Sequence, residues 1–240
     1  MTNKIKAYKK KFDYSYTSGV YATIELIKIR PEIVDAVYIH TAYRDNDELT
    51  ALCEARSIPY VYSDKAFSIA NQKENSYVLG VFHKYVSVLA SDQPHIILVN
   101  PSDMGNLGTI IRTIAGLGIK NVGVIEPAAD IWNPKTIRAS MGALFHIRHE
   151  SFNSFEAYSG QYPDHRIFLF MLGGTVLAED CPPCRQFSLV FGNEATGLDE
   201  RFMHVGQSVK IPQSSCVDSF NLAVAVGIGV YVFARKNRLV

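Results

Sequence analysis

The chain has 240 residues, 48% of them hydrophobic and 20% charged, a composition that supports a buried core and excludes a disordered tail. Lys and Arg number 24 against 23 acids, so the formal net charge of +1 neither demands nor excludes a polyanionic partner, and local clustering has to decide. At roughly 150 residues per domain the length fits one large domain or two small ones. Met1-Thr2-Asn3-Lys4 leads into no apolar run, and the longest apolar stretch, Leu222–Ala234, is short of the roughly 20 residues that span a bilayer. A soluble, cytoplasmic protein without a membrane partner is therefore expected, and the four cysteines fit a reduced compartment rather than a disulfide scaffold.

Residues 1 to 11 carry five lysines and no acid, ending in Lys9-Lys10-Lys11. Such a run is either a solvated terminus or an arm that contacts phosphate. From Ser18, the expected cap, a helix is predicted through about Ile29, with Val20, Ile24 and Ile27 on one face and Pro31 as its stop. A strand at Ala36–Ile39, a helix over Asp47–Ser57 and strands at Tyr60–Tyr62 and Val78–Phe82 complete a small α/β unit over residues 1–86, with no catalytic motif of its own. Ser87–Pro94 is polar enough for a linker.

A second α/β series occupies residues 94–240. Ile96–Val99 is the continuous apolar run of a buried parallel strand. Then follow a helix over Asn106–Gly118, a strand at Val122–Ile125, a helical stretch from Pro134 to Gly142, and strands at Ile167–Met171, Ser188–Phe191 and Val209–Ile211. A long helix from Ser219, the expected cap, to about Arg235 ends the series. Alternation of this kind predicts a parallel sheet with ligands at the C-terminal ends of its strands. The last helix is apolar nearly all round and must be enclosed, for which an oligomer interface is a natural means.

Three loops at strand ends carry polar residues in suggestive patterns. The first, after Val99, contains Asn106-x-Gly108-x-x-x-Arg112, where glycines allow close backbone approach and a helix N-terminus with a guanidinium suits phosphate. Asn106 and Arg112 stand six positions apart, so they do not share one helix face strictly. In the second, Phe191-Gly192-Asn193-Glu194-x-x-Gly197-Leu198, a tight turn presents main-chain groups, and Glu194 can meet a ligand, pair with Arg112 or cap a segment. The third runs from Ile211-Pro212-Gln213 through Ser219-Phe220-Asn221-Leu222. A dinucleotide fingerprint and a P-loop are both missing, which disfavours a nucleotide-dependent oxidoreductase. Cys181-Pro182-Pro183-Cys184 leads into a strand rather than a helix and has no second ligand pair, so it reads as a loop with two incidental thiols, and no metal site is expected.

Taken in order, these loops resemble the three motifs of the SpoU (TrmH-like) RNA ribose methyltransferases of the SPOUT superfamily. Asn133-Pro134-Lys135 through Ser140–Phe145 matches a further stretch common in that family, and the likeness covers about residues 94 to 238. Gly19-Val20, Ile58-Pro59 and Gly80-Val81 give residues 1–86 a looser likeness to the small RNA-binding domain that many members carry. Phe220 stands where Leu is usual, and Gln213 where Met is frequent.

The resemblance implies a SPOUT-type parallel sheet with a C-terminal trefoil knot, preceded by the small α/β domain. It implies transfer of a methyl group from S-adenosylmethionine to a ribose 2′-hydroxyl of RNA, ribosomal RNA being favoured over transfer RNA by the separate N-terminal domain. It also implies a homodimer that buries the last helix. Arg112 is then the catalytic arginine, oriented by Asn106 and Glu194, with Ser219 and Asn221 lining the reaction centre. Because guanidinium groups hold their proton tightly, gripping phosphate and stabilising alkoxide charge suits Arg112 better than acting as a base. The cofactor is expected on main-chain groups of Leu172, Gly173, Gly174, Gly192, Asn193 and Ile211, with Phe220 or Leu222 against adenine. The alternatives are a catalytically silent RNA-binding protein on the same fold, which the presence of all the motif residues disfavours, and a base methyltransferase of another SPOUT branch.

Overall fold

The computed structural model describes residues 5–44, 46–70 and 76–240, so Lys4 of the lysine run lies outside the described residues. Two compact units form. One holds the residues up to Tyr85 together with Asp130–His146, and the other holds Val86–Ala129 and Ile147–Val240. The division between residues 86 and 94 read from the sequence therefore needs one correction. The stretch 130–146, assigned to the C-terminal series by its place in the chain, packs its aromatic side chains into the first unit, where Phe145 and Trp132 meet Phe82.

In the first unit the elements are β1 (Tyr14–Tyr16), α1 (Val20–Ile29), β2 (Val34–Ile39), α2 (Asp47–Ala55), β3 (Tyr60–Tyr62), α3 (Asp64–Ile69) and β4 (Val78–His83). Its sheet has the order β1-β4-β2-β3, with β4 antiparallel to both neighbours and β2 parallel to β3. Gly19, at φ +96°, occupies the cap position of α1, and no side chain caps that helix. Ser18, the expected cap, is buried and pairs its hydroxyl with Ser76 at 2.9 Å instead. β1 and α3 escape a sequence reading because Tyr-Ser-Tyr has no apolar run and α3 is less than two turns long.

The second unit contains β5 (His95–Val99), α4 (Met104–Gly116), β6 (Asn121–Ile125), β7 (Arg148–Phe152), α6 (Phe155–Gln161), β8 (Arg166–Phe170), β9 (Val176–Leu177), β10 (Phe187–Phe191), β11 (Gln207–Lys210) and α7 (Leu222–Lys236), α5 being the first unit's Pro134–Ala139. The sheet order is β7-β6-β5-β10-β8-β11-β9, every pairing parallel. β5, β6 and β10 are buried along their whole length, the condition that favours continuous apolar runs over alternation. β7, whose Arg-His-Glu-Ser-Phe is mostly polar, is an edge strand and carries no such signal. Asp103 starts α4 two residues earlier than predicted, its carboxylate accepting the Asn106 N–H at 2.8 Å.

The last helix starts at Leu222, three residues later than predicted. Asn221 rather than Ser219 caps it, accepting from the N–H groups of Ala223 (2.9 Å) and Val224 (3.4 Å). Its buried face includes Val226, Val230 and Phe233, and α4 packs beside it, whereas Val224 and Tyr231 on the other face stay 49% and 54% exposed. Among the described residues no helix is long and apolar enough to cross a membrane.

Polar groups do enter the core of the second unit, at the starts of its central strands. Tyr158 links His95 Nδ1 (2.9 Å) to the Ser188 hydroxyl (2.5 Å), which in turn meets His165 Nδ1 at 2.9 Å. The outer ring nitrogens face the Ala90 carbonyl (2.9 Å) and the Ser91 carbonyl (2.8 Å), so this network ties the chain entering β5 to the sheet. All four side chains are buried and all find partners, as such groups must. Burial lowers the His95 imidazole from 6.5 to about 4, with the neighbouring His165 acting in the same direction. The unfolded chain therefore takes up that proton first, and the associated stability is complete above pH 6.5 and lost as the pH falls through about 4. Thermal melting should record a loss of up to about 3 kcal/mol from this residue over that range. His95→Gln should be less stable near neutrality, with the gap to the parent chain closing as the solution is acidified.

Candidate functional site

The strands β5, β8, β10 and β11 run parallel, so the loops at their C-terminal ends emerge along one edge of the sheet. After β5, Asn100 takes φ +53° and its side chain donates to the carbonyls of Ile125 and Pro127, both at 3.3 Å. After β10, residues 193–197 fold into a small closed turn. Asn193 and Gly197 exchange both backbone hydrogen bonds (3.2 and 2.9 Å), and Asn193 Oδ1 accepts from Ala195 N–H at 2.9 Å. The same asparagine donates to the Asn100 carbonyl at 2.7 Å, which joins the first loop to the second.

Glu194 then locks the two loops. Its Oε2 accepts from the Ser102 N–H (2.9 Å) and hydroxyl (2.8 Å), and its Oε1 from the Asp103 N–H (3.1 Å) and Asn106 Nδ2 (3.2 Å). Burial by itself raises this carboxyl's pKa, but the bonds from Ser102 and Asp103 outweigh it and hold the group below the usual glutamate range. An ionised carboxylate offers about four acceptor positions, and four donors occupy them. The acceptor positions of Glu194 are thus all engaged within the protein.

Asn106 passes the connection onward, its Oδ1 accepting from Asn221 Nδ2 at 3.1 Å. Glu194, Asn106 and Asn221, from three loops far apart in the sequence, form one hydrogen-bonded chain. Each amide has its orientation fixed, because Asn106 must donate toward the carboxylate and Asn221 must turn its oxygen to cap α7. Arg112 stands outside this group. Six residues along a helix is a rise of about 9 Å and a rotation of about 240°. The side chain is exposed and makes no hydrogen bond or ion pair among the described residues. The expectation that Asn106 and Glu194 orient Arg112 is therefore corrected: in a single chain they bond to each other and to the loop that starts α4.

A cleft of about 380 Å³ opens beside Glu194. Leu172 and Gly173 after β8 form one side, and Gly192, Asn193 and Glu194 after β10 form another. Ile211 after β11, with Ser219, Phe220 and Leu222, completes it. Gly174 does not line the cleft. A Cβ there would sit 2.4 Å from the Val209 carbonyl carbon, so its glycine serves the packing of the loop on β11. Sequence reasoning missed Met171, Glu200, Met203 and Gln213, which also border the space. Of these, only Gln213, directly after Ile211-Pro212, was marked by its position.

Residues 93–231, more than half the chain, match the SpoU rRNA Methylase family. The chain belongs to that family. A relative from Bacillus subtilis (strain 168), named 23S rRNA (guanosine(2553)-2′-O)-methyltransferase RlmP, is 28% identical over 220 residues, covering 89% of this chain and 85% of that protein. A Streptomyces laurentii 23S rRNA (adenosine(1067)-2′-O)-methyltransferase is 27% identical over 212 residues, 79% of this chain and 74% of the other. Among solved structures, the SpoU methyltransferase AviRb from Streptomyces viridochromogenes superposes with a TM-score of 0.83 at 19% identity, covering 94% and 90% of the two chains. An AdoMet-bound rRNA methyltransferase from Sinorhizobium meliloti gives 0.78 at 24% identity, covering 93% and 87%. At these identities the structural likeness establishes the fold.

Two features of the SpoU chain find structural explanations. Burial pushes the Cys181 thiol upward, and its Sγ faces the Leu177 carbonyl at 3.6 Å, while Cys184 Sγ faces the Gln186 carbonyl at 3.1 Å. Gly192 is required by the closed turn. A Cβ at that position would lie 2.1 Å from the Gly197 carbonyl carbon, backbone that cannot yield without opening the 193–197 loop, whereas a Cβ on Gly173 meets nothing within 4 Å. Gly192→Ala should therefore cost about 1–3 kcal/mol in chemical denaturation. Gly173→Ala should stay within about 0.5 kcal/mol of the parent chain; equal losses for the two would contradict this account of the turn.

Proposed function

We propose that the protein transfers a methyl group from S-adenosylmethionine to a ribose 2′-hydroxyl of RNA, with ribosomal RNA as the substrate. The observation that carries this reading is the Glu194–Asn106–Asn221 chain, which holds three loops around the cleft at the strand ends. Membership of the SpoU family supports it, as do the 2′-O-methyltransferase activities on 23S rRNA in the names of the two relatives.

The residues present fit the cofactor. The cleft is within the usual range of roughly 300–1,000 Å³ for small-molecule sites. Gly192 and Gly173 line the cleft without side chains, and Phe220, Leu222 and Ile211 supply apolar surface for a flat base. When bound, S-adenosylmethionine supplies an electrophilic methyl group on a sulfonium. Leu172, Gly173, Asn193 and Ile211 would hold it through backbone groups. Ser219 borders the cleft, where the sugar hydroxyl has to arrive; Asn221 does not line it, and acts from behind Ser219 and Phe220 through an amide whose direction Asn106 fixes. Arg112 grips the phosphate beside the target ribose and stabilises charge on the oxygen as its proton leaves.

Because a single chain leaves Arg112 apart from Glu194, we assign the completed site to a homodimer. The exposed Val224 and Tyr231 face of α7 is the surface to be covered, and α4, which bears Arg112, packs next to it. The C-terminal segment is read as threaded into a trefoil knot, consistent with β10 lying between β5 and β8 while the last helix returns beside α4. The small N-terminal unit is assigned to RNA binding, and the site of action to the cytoplasm.

Labelled cofactor offered to bulk ribosomal and transfer RNA, followed by mapping of the modified nucleotide, should place the label on one ribose of ribosomal RNA. Label on a base, or none with cofactor binding intact in calorimetry with S-adenosylhomocysteine, would overturn the reaction assigned. Arg112→Lys should lower turnover about 10²-fold while leaving cofactor affinity unchanged.

A further inference from the structure

Lys6, Lys9, Lys10 and Lys11 do not line the cleft, yet the segment that carries them is held in place. Along residues 5–12 the inward positions are Ile5, Tyr8 and Phe12, which pack on the cluster of Tyr14, Tyr16, Leu79 and Val81, while Lys6, Lys9, Lys10 and Lys11 are exposed. Lys6 N–H donates to Tyr16 Oη at 3.2 Å, and the Tyr16 hydroxyl donates back to the Lys6 carbonyl at 2.7 Å. The Tyr8 hydroxyl donates to Asp130 Oδ2 at 2.5 Å, and a turn closes through Phe12 N–H to the Lys9 carbonyl at 3.0 Å. From β4's end, Lys84 Nζ donates to the Lys10 carbonyl at 2.9 Å and stands 4.9 Å from the centre of the Tyr8 ring.

A solvated terminus has no need of these ties. They bring a further ammonium to a segment that already displays four, and Asp130, one of the nearby acids, is engaged by Tyr8. Burial lowers the Lys84 pKa and Lys10 pushes in the same direction, against the opposing charges of Asp130 and Asp13. Gathering like charges on a rigid arm is unfavourable until an anion covers them, and a row of lysines with no fixed fork geometry suits a repeating phosphate chain better than a single carboxylate.

We propose that the ordered arm Lys6–Lys11, together with Lys84, is a contact surface for the phosphate backbone of the RNA substrate. It rests on the RNA-methyltransferase reading above and adds to it where the N-terminal unit meets the RNA. The contact is electrostatic and blind to sequence, so it acts on affinity and leaves the chemistry alone.

The test uses the full-length protein and bulk ribosomal RNA, with filter binding and methyl transfer measured separately over a series of salt concentrations. The triple variant Lys9→Gln, Lys10→Gln, Lys11→Gln should bind about 10²-fold more weakly near 0.1 M salt, with the slope of log affinity against log salt reduced by about 2 to 3. Turnover at saturating RNA and calorimetric binding of S-adenosylhomocysteine should match the parent chain. The corresponding triple arginine variant should restore affinity and slope, which separates charge from damage to the arm. Unchanged RNA affinity and slope in the glutamine variant would overturn the proposal, including where binding to phosphatidylserine vesicles falls instead. If RNA binding responds as expected while the parent chain transfers no methyl group, the cleft reading fails and the arm stands.

Discussion

The architecture of the site depends on one carboxylate. Glu194 follows a buried strand and projects from a turn of five residues, which alone would be a pliable loop. Its four donors come from the segment that leads from β5 into α4, so the ends of adjacent parallel strands are joined by side chain as well as by sheet hydrogen bonds. Three of those donors are solvent-exposed, so each bond is worth only roughly 0.5–1.5 kcal/mol, and it is their number on one carboxylate that holds the turn. This explains why a residue with the chemistry of a base is used as a fastener. A carboxylate saturated by neutral donors stays ionised without drawing a guanidinium into the loop.

Asn106 and Asn221 extend the fastening to the third loop, and amides suit the task for a physical reason. Each has one donor and one acceptor end, so a chain of two conveys direction as well as contact. Asn221 gives its oxygen to the first turn of α7 and its amide nitrogen to Asn106, so capping a helix and closing the site are a single event.

Much of this was legible in the sequence. The central strands were visible because burial on both faces selects unbroken apolar runs such as Ile96–Val99, and the three loops showed as glycine, asparagine and acid residues placed directly after those runs. Glu194, Asn106 and Asn221, singled out from three separate loops, meet in one hydrogen-bonded chain, whereas Arg112, singled out with them, stands apart. Their partners were less visible. Ser102 and Asp103 look like any polar turn, and nothing in one dimension says that they will consume the acceptors of a residue about 90 positions away. The role of Ser219 as a cap was misread because Ser and Asn are both good caps, and the choice between them is made by the partner that Asn106 offers in space. Gly174 was misread for a similar reason, since a glycine that admits a neighbouring strand has the same signature as one that admits a ligand.

The division of the chain presents a different problem, one of contiguity. Sequence reading looks for a polar linker and finds Ser87–Pro94, but a compact unit need not be a single stretch. Phe82 lies in the last strand of the first unit, and its ring meets Trp132 at 5.9 Å and Phe145 at 5.3 Å, both from the segment that leaves the second sheet after β6. The Ser15 hydroxyl donates to the Trp132 carbonyl at 2.5 Å, and a Cβ on Gly142 would come within 2.7 Å of the Glu25 side chain. A fragment ending at Tyr85 would therefore expose two aromatic faces and leave the buried Ser15 hydroxyl without its acceptor. The stretch Asn133–Phe145, recognisable in the sequence as a family feature, is thus a structural member of the small unit. Its place between two strands of the larger one means that neither core can be completed until the chain has been made well past the apparent linker.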